Sequence, residues 1–203
     1  MNALVDYIKT HPNWRTELTQ KPYCLTIKDK GPYTIFSYSQ IDSDFYNEVV
    51  RVSRGIILRI TKRIDWDNTD LNDPLQSPPK IEDVEIVCWP FNKFGNYGEG
   101  YADKIDWASA KVQEKVDGSI IKLWHDSWED GHGHAESGWH VSTNGMIDAF
   151  ETDLQLPTEE FKCFGDIFMK AWARSPHGNG DFSDACARGD YKSLTYIFEL
   201  VSP

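Results

Sequence analysis

Short runs of alternating or continuous apolar residues dominate the chain and predict strands. These runs lie at residues 23–27, 33–38, 53–59, 84–89, 120–124, 139–143 and 194–201. A period of two is typical of strands that bury one face, and Gly, Pro and Asn between the runs are typical of turns. Many short strands with few helices predict an α+β domain, built mostly of antiparallel sheet with flanking helices.

Helical spacing of apolar residues is limited to a few short regions. Asn2 is a suitable cap for a short helix that carries Leu4 and Ile8 on one face, and Asn13 for a second one. The strongest helical pattern runs from Thr158 to Trp172. Segments rich in Asp, Asn, Gly, His or Pro predict surface loops at residues 65–80, 126–138 and 175–189.

The composition is that of a folded domain with an acidic surface. Of the 203 residues, 40% are hydrophobic and 13% aromatic, which excludes a disordered chain. The net charge of −11 argues against a protein that binds nucleic acid indiscriminately. Residues 1–63 nevertheless hold ten basic and six acidic residues, whereas the stretch between Lys122 and Lys162 holds nine acidic residues and no basic one. A polyanionic ligand should therefore approach the N-terminal third.

The cysteines and the N-terminal sequence predict a location in the cytoplasm. Four scattered cysteines form no C-x-x-C pair, which is typical of reduced thiols: Cys24, Cys88, Cys163 and Cys186. The first residues lack the apolar core of a signal peptide. No run approaches the roughly 18 apolar residues of a membrane span, so we expect no membrane partner.

The segment from Lys115 to Ser119, Lys-Val-Asp-Gly-Ser, is the first candidate for chemistry. The apolar residues of 110–112 and 120–124 predict two strands, joined by a tight turn at Asp-Gly with Lys115 near the end of the first strand. A lysine is a nucleophile only when it is deprotonated, and burial or a neighbouring cation lowers its pKa. Arg54 and Lys93 are candidates for that cation, and for binding a triphosphate.

Two neighbours of Lys115 have candidate roles of their own. Asp117 is suited to holding a divalent ion, and Gly118 lets a phosphate approach the backbone. Taken alone, however, Lys-x-Asp-Gly is a weak signal, and an ordinary turn is the simpler interpretation.

Further motifs occur in a fixed order around this segment. They are Arg54-Gly55 before an apolar strand, Phe91-x-Lys93-Phe94, Thr143-x-Gly145 and Phe198-Glu199. The ordered set resembles the covalent nucleotidyltransferases, and most closely the bacteriophage RNA ligase I family of ATP-dependent RNA ligases. The blocks that carry the resemblance are 33–38, 53–57, 90–96, 115–119 and 198–203. The resemblance divides the chain into a lead-in at residues 1–32, packed on the same domain, and a nucleotidyltransferase domain at 33–203.

The resemblance implies a three-step reaction in RNA repair, with ATP and Mg²⁺ or Mn²⁺ as cofactors. Lys115 would attack the α-phosphorus of ATP, and the AMP would then pass to the 5′-phosphate of an RNA end. A 3′-hydroxyl would finally displace AMP and seal the strand. By the same resemblance Arg54 and Lys93 would contact phosphates, and Glu199 would act at the ribose or the metal. Phe198 would pack near the base.

The chain departs from the family pattern in two respects. Asn144 stands where the family usually has a basic residue before the glycine of its third motif, and Ser142 stands two positions earlier. The last two family motifs, E-G-x-V and K-x-K, are absent before Pro203. The domain is therefore expected to be C-terminally incomplete, a fragment that requires a missing portion or a companion chain. We expect the 203 residues alone to form adenylyl-lysine poorly or not at all.

Three other interpretations remain open at this point. The first is a non-catalytic remnant that binds an RNA end or a nucleotide, and the second is a DNA ligase or a GTP-using capping enzyme. The third is a metal site in the loop at 125–140, which is rich in His and acidic residues. A solvated hairpin is preferred there, because a flexible loop fixes no ligand geometry.

Overall fold

A computed structural model describes residues 2–62, 81–129, 135–151, 154, 161–175 and 192–201. The helices are α1 (Ala3–Thr10), α2 (Trp14–Thr19), α3 (Glu48–Val52) and α4 (Phe164–Arg174). The strands are β1 (Leu25–Lys30), β2 (Tyr33–Tyr38), β3 (Arg54–Lys62), β4 (Ile81–Cys88), β5 (Ser119–Glu129), β6 (Ala135–Thr143) and β7 (Tyr196–Leu200). Among these residues no helix is both long enough and apolar enough to cross a membrane.

The strands form two antiparallel sheets. The first has the order β1-β2-β3-β4, and the second has the order β6-β5-β7. All the pairings within them are antiparallel. The predicted α+β class with mostly antiparallel sheet and few helices is therefore confirmed.

The N-terminal helices cover one face of the first sheet. Asn2 caps α1 by accepting a hydrogen bond at Oδ1 from the backbone N–H of Leu4, at 3.0 Å. The apolar faces of α1, α2 and α3 then share one core with the strands, listed here by its fully buried members: Leu4, Leu18, Phe36, Val50, Ile56 and Leu58. The lead-in is thus continuous with the first sheet.

The second sheet buries its far face under α4. Ile121 and Leu123 of β5 pack there with Phe168, and Trp139, Phe164 and Trp172 surround them. Cys163 caps α4, with its Sγ accepting from the backbone N–H of Asp166. Large aromatic side chains in this region serve the core.

A third cluster joins the two sheets. Ile35 and Ile57 of the first sheet meet Trp124 of the second. Above them the guanidinium of Arg59 pairs with the carboxylate of Asp126 at 2.6 Å, and each side chain is only 11% exposed. This interface holds the ends of β3 and β5 side by side, which determines where the candidate site lies.

Several predicted boundaries were wrong. β1 begins at Leu25 rather than residue 23, because Cys24 has a φ of 49°, outside the extended range. The polar segment at 126–138 was predicted as loop, yet β5 and β6 continue to Glu129 and from Ala135, since they pair with each other. The helix predicted from Thr158 begins at Phe164 and ends at Arg174.

The strand predicted at 110–112 does not form. These residues have no strand partner, and Val112 is 100% exposed. A strand needs either a neighbour for its backbone hydrogen bonds or an apolar face to bury, and this segment has neither. The loop predictions at 65–80 and 176–189, with Cys186, lie outside the described residues. Ser175 itself follows α4 as its cap.

Candidate active site

A cleft of about 520 Å³ opens where β3, β5 and β7 come together. Its walls come from six separate parts of the chain, namely Arg54, Phe91 with Phe94, residues 115–120, residues 143–145, Phe164 and Glu199. Among the predicted site residues, Arg54, Lys115, Asp117, Gly118 and Glu199 meet here. Lys93 and Phe198 do not line the cleft.

The register of β5 and β7 explains why Glu199 and Phe198 diverge. Glu199 lies opposite Ile120, and Phe198 lies opposite Ile121. Successive side chains of a strand point to opposite faces of the sheet. Glu199 therefore shares the cleft face with Ile120, while Phe198 faces α4, where its ring lies 5.2 Å from that of Phe168. In this arrangement Phe198 supports the sheet from behind.

Arg54 is held at the cleft wall by aromatic rings. Its guanidinium carbon lies 4.4 Å from the centroid of Phe91 and 5.2 Å from that of Phe94. The Nη1 atom is buried and has no hydrogen-bond partner among the described residues. An unsatisfied buried donor is costly, and a guanidinium matches the oxygens of a phosphate. Arg54 therefore fits an anionic ligand in the cleft.

Lys115 lies in an irregular segment that leads into β5, rather than at the end of a strand. Its side chain is 80% exposed, and its Nζ lies 3.4 Å from Oδ1 of Asp117, which is 97% exposed. Lys115 is thus exposed rather than buried, and the charged group beside it is a carboxylate. The ammonium is open to solvent and to any ligand in the cleft.

Gly118 is required by the packing of β7. A side chain at this position would collide with the carbonyl oxygen of Leu200 and come within 3.3 Å of Cγ of Glu199. The glycine thus lets β7 lie directly against the segment that carries Lys115. This contact brings Glu199 to the cleft. It explains the glycine by packing, whereas the sequence-based prediction explained it by the approach of a phosphate.

Gly55, the residue after Arg54, also packs closely against another part of the backbone, that of Asn144. It has a φ of +76°, and a Cβ atom there would lie 2.7 Å from the carbonyl oxygen and 2.8 Å from the Cα atom of Asn144. Neither backbone atom can move without shifting the turn after β6. The close packing fixes the position of Asn144 relative to Arg54.

Replacing Gly55 with alanine should lower the free energy of unfolding by about 3 kcal/mol. The reason is strain at positive φ together with overlap against backbone. Gly31→Ala is the matched control, because Gly31 also has a positive φ, +57°, but nothing within 4 Å of its Cβ position. That change should cost about 1 kcal/mol, from strain alone. Urea unfolding of both variants measures the difference, and equal losses would contradict the packing argument.

Lys93 does not line the cleft. Its Nζ donates to the carbonyl oxygen of Phe94 at 2.8 Å and lies within 6 Å of the rings of Phe45, Phe94 and Tyr101. Cation–π contacts of this kind stabilise the ammonium in place. The predicted phosphate contact of Lys93 would need a different rotamer.

Asn144 lines the same cleft. Its Oδ1 is buried and finds no donor in the described part of the chain. Its backbone oxygen accepts from Oγ of Ser37 at 2.5 Å, which anchors the turn to the first sheet. An unpaired amide oxygen suits a hydroxyl or an amino group of a ligand. Asn144 thus offers an acceptor where the resemblance led us to expect a cation.

Two carboxylates, those of Asp117 and Glu199, line the cleft and bear on the predicted metal. Mg²⁺ is commonly held by one or two carboxylates together with phosphate oxygens of the substrate. The pair therefore fits a metal that arrives with a nucleotide. Within the described ranges no group of three or more His, Cys, Asp or Glu residues forms an independent metal site.

The His-rich region has a structural role where the structure describes it. His140 stacks on Trp124 at 4.2 Å, and Asp126 binds Arg59 and the hydroxyl of Tyr33. Burial lowers the pKa of His125, which lies on β5. His132 and His134 lie outside the described residues.

The sequence predictions missed Lys122. It lies on β5, is fully buried, and its Nζ donates a hydrogen bond to the carbonyl oxygen of Gly55. A signal was present, because a lysine within the run Ile-Ile-Lys-Leu-Trp interrupts an otherwise apolar strand. Lysine is rarely buried unless it is paired.

Comparison with models of protein families, with curated proteins and with solved structures finds no match to this chain.

Proposed function

We propose that this chain is the adenylyltransferase part of an ATP-dependent RNA ligase, with Lys115 as the residue that becomes covalently bound to AMP. The observation that supports the proposal is the shared cleft. Arg54, Lys115, Asp117, Gly118 and Glu199 come from three distant parts of the sequence and line one cavity. These are five of the seven site residues predicted from the sequence.

The cleft residues have complementary roles toward a nucleoside triphosphate. Arg54 offers an unpaired buried donor for phosphate oxygens, and Asn144 offers an unpaired acceptor for a hydroxyl or amino group. The carboxylates of Asp117 and Glu199, which line the cleft, would hold a divalent ion. When bound, that ion would offset the negative charge of the phosphates.

The first chemical step forms one bond and breaks another. Nζ of Lys115 loses a proton to the water around its exposed side chain and attacks the α-phosphorus. An N–P bond forms, the bond from the α-phosphorus to the bridging oxygen breaks, and pyrophosphate leaves with the electron pair. The phosphoramidate then transfers AMP to the 5′-phosphate of RNA, which regenerates the lysine. Attack by the 3′-hydroxyl on that activated end joins the strands and releases AMP.

Incubation with ATP labelled at the α-phosphate tests the proposal. We expect at most a weak covalent label that is labile to acid, and peptide mapping should place it on Lys115. Because the readout is the position of the label, a slow reaction is sufficient. GTP should give less label than ATP, and subsequent addition of 5′-phosphorylated RNA should release the label as activated RNA or AMP.

The alternatives predict different results in the same experiment. Nucleotide binding without any covalent label would support the non-catalytic remnant. Preferential labelling by GTP would support a capping enzyme, and transfer only to nicked duplex DNA would support a DNA ligase. Absence of nucleotide binding would refute the proposed function altogether.

A further inference from the structure

A fully buried lysine lies directly beneath the cleft. Lys122 has 0% exposure and lies on β5 between Ile120 and Trp124. Residues two apart on a strand share a face. Ile120 lines the cleft, whereas Trp124 belongs to the core between the sheets. Lys122 therefore stands at the boundary where the cleft floor becomes the core.

The ammonium of Lys122 is directed toward the backbone next to Arg54. Its Nζ donates to the carbonyl oxygen of Gly55, the residue that follows Arg54. The register shifts at this point of β3, since Phe36 pairs with Ile56 and Ser37 pairs with Arg54. Gly55 is therefore a bulge residue that is skipped in the pairing with β2. Lys122 supplies a hydrogen bond to the carbonyl of this bulge.

No carboxylate pairs with Lys122 in the part of the chain that the structure describes. On β6 the residue opposite is Ser142. The titratable neighbour is Cys88, a buried thiol whose pKa is raised by desolvation, so it supplies no negative charge at neutral pH. Burial also lowers the pKa of Lys122, since its ammonium loses hydration.

A neutral hydrogen-bond donor would satisfy the carbonyl of Gly55 with a smaller loss of hydration free energy. Burying a cation without a counter-charge is among the most unfavourable arrangements in a protein, whereas burying an amide that is hydrogen-bonded is not. The chain carries a net charge of −11, so acidic residues are abundant, yet none of the described ones forms an ion pair with Lys122. The missing counter-charge is best supplied by a ligand in the cleft.

We propose that Lys122 is an internal counter-charge for the polyphosphate of a nucleotide bound in the cleft, a positioning residue that acts through the electric field and through Gly55 and Arg54. The inference rests on the proposed function for the identity of the anion. It adds a residue outside the motifs of the resemblance. It also predicts that the contribution of this residue grows with the charge of the ligand.

Two substitutions separate charge from structure. Lys122→Gln keeps a donor for the carbonyl of Gly55, and Lys122→Met keeps only the length of the side chain. For both we expect about tenfold weaker binding of ATP and of inorganic triphosphate, a smaller loss for AMP, and unchanged binding of adenosine. The thermal midpoint of Lys122→Gln should equal or exceed that of the wild type. Lys9→Met, on α1, is the control for an equal change of net charge.

Several results would overturn the proposal. One is an equal loss of affinity for adenosine and ATP, which would indicate a purely structural role. Another is unchanged binding of ATP by a folded variant. If neither variant folds, the ¹⁵N NMR chemical shift of the Lys122 ammonium in the wild type tests the proposal. It should move with inorganic triphosphate and stay fixed with adenosine, and the absence of a shift with triphosphate refutes the role.

The same measurements keep the two proposals apart. Binding of triphosphate that depends on Lys122, without covalent label at Lys115, would refute the ligase function and leave the counter-charge intact. Labelling of Lys115, together with triphosphate binding by the Lys122 variants that equals that of the wild type, would refute the counter-charge and leave the ligase function intact. A wild type that binds no polyphosphate would refute both.

Discussion

Replacing Lys115 with alanine should reduce the covalent label from ATP to the background level, while nucleotide binding changes little. The side chain of Lys115 is 80% exposed, and its close polar contact is Asp117 at 3.4 Å. Its loss therefore leaves the fold and the ligand contacts of Arg54 and Asn144 in place. Only the nucleophile is lost, and without it no N–P bond can form.

The matched control for Lys115 is Lys111→Ala. Lys111 is an exposed lysine of the same irregular segment, and it does not line the cleft. Its removal should leave labelling within about twofold, since surface substitutions have small effects. Phosphorimaging of denaturing gels measures the label, and equilibrium dialysis measures the binding. A label that survives in Lys115→Ala would place the nucleophile elsewhere.

Replacing Arg59 with methionine should lower the free energy of unfolding by about 4 kcal/mol. Arg59 and Asp126 are each 11% exposed and lie 2.6 Å apart at the interface between the two sheets. Methionine retains the length of the side chain but leaves the carboxylate of Asp126 buried beside an apolar neighbour. Breaking a buried ion pair on one side is costly because the remaining carboxylate, which still accepts a hydrogen bond from Tyr33, loses its counter-charge.

The exposed pair between Arg15 and Asp29 gives the comparison. Their side chains are 48% and 51% exposed and lie 2.9 Å apart, so Arg15→Met should cost about 1 kcal/mol or less. The double variant Arg59→Met with Asp126→Asn should recover part of the loss, since no uncompensated charge then remains. Urea unfolding measures all of these variants. A loss for Arg59→Met as small as that for Arg15→Met would refute the burial argument.

Periodicity located most of the elements because strands and helices leave local patterns. The strands around residues 33–38 and 54–59 were found from apolar runs, and the cap at Asn2 from its residue type. The boundaries were less predictable. β5 and β6 extend through polar residues because their backbones pair with each other, and the segment at 110–112 is irregular because it finds no partner. Pairing depends on residues distant in the sequence.

The candidate site was likewise predicted from the sequence only in part. The ordered motifs indicated Arg54, Lys115, Asp117, Gly118 and Glu199, and these residues line one cleft. The motifs also indicated Lys93 and Phe198, which the rotamer of one and the strand face of the other keep out of that cleft. A motif specifies a position along the chain, whereas rotamer and register decide which way a side chain points.

By itself the sequence determined that Asp-Gly comes two residues after Lys115 and that an apolar strand follows it. It also determined that Lys122 interrupts that strand. Only the tertiary structure decided what these two lysines can do. Lys115 is open to the cleft because its segment pairs with no strand, and Lys122 is buried under the cleft because β5 is covered on that face by β3. The physical reason is that exposure, hydration and counter-charge are set by neighbours from other parts of the chain, and these decide the chemistry of an amine.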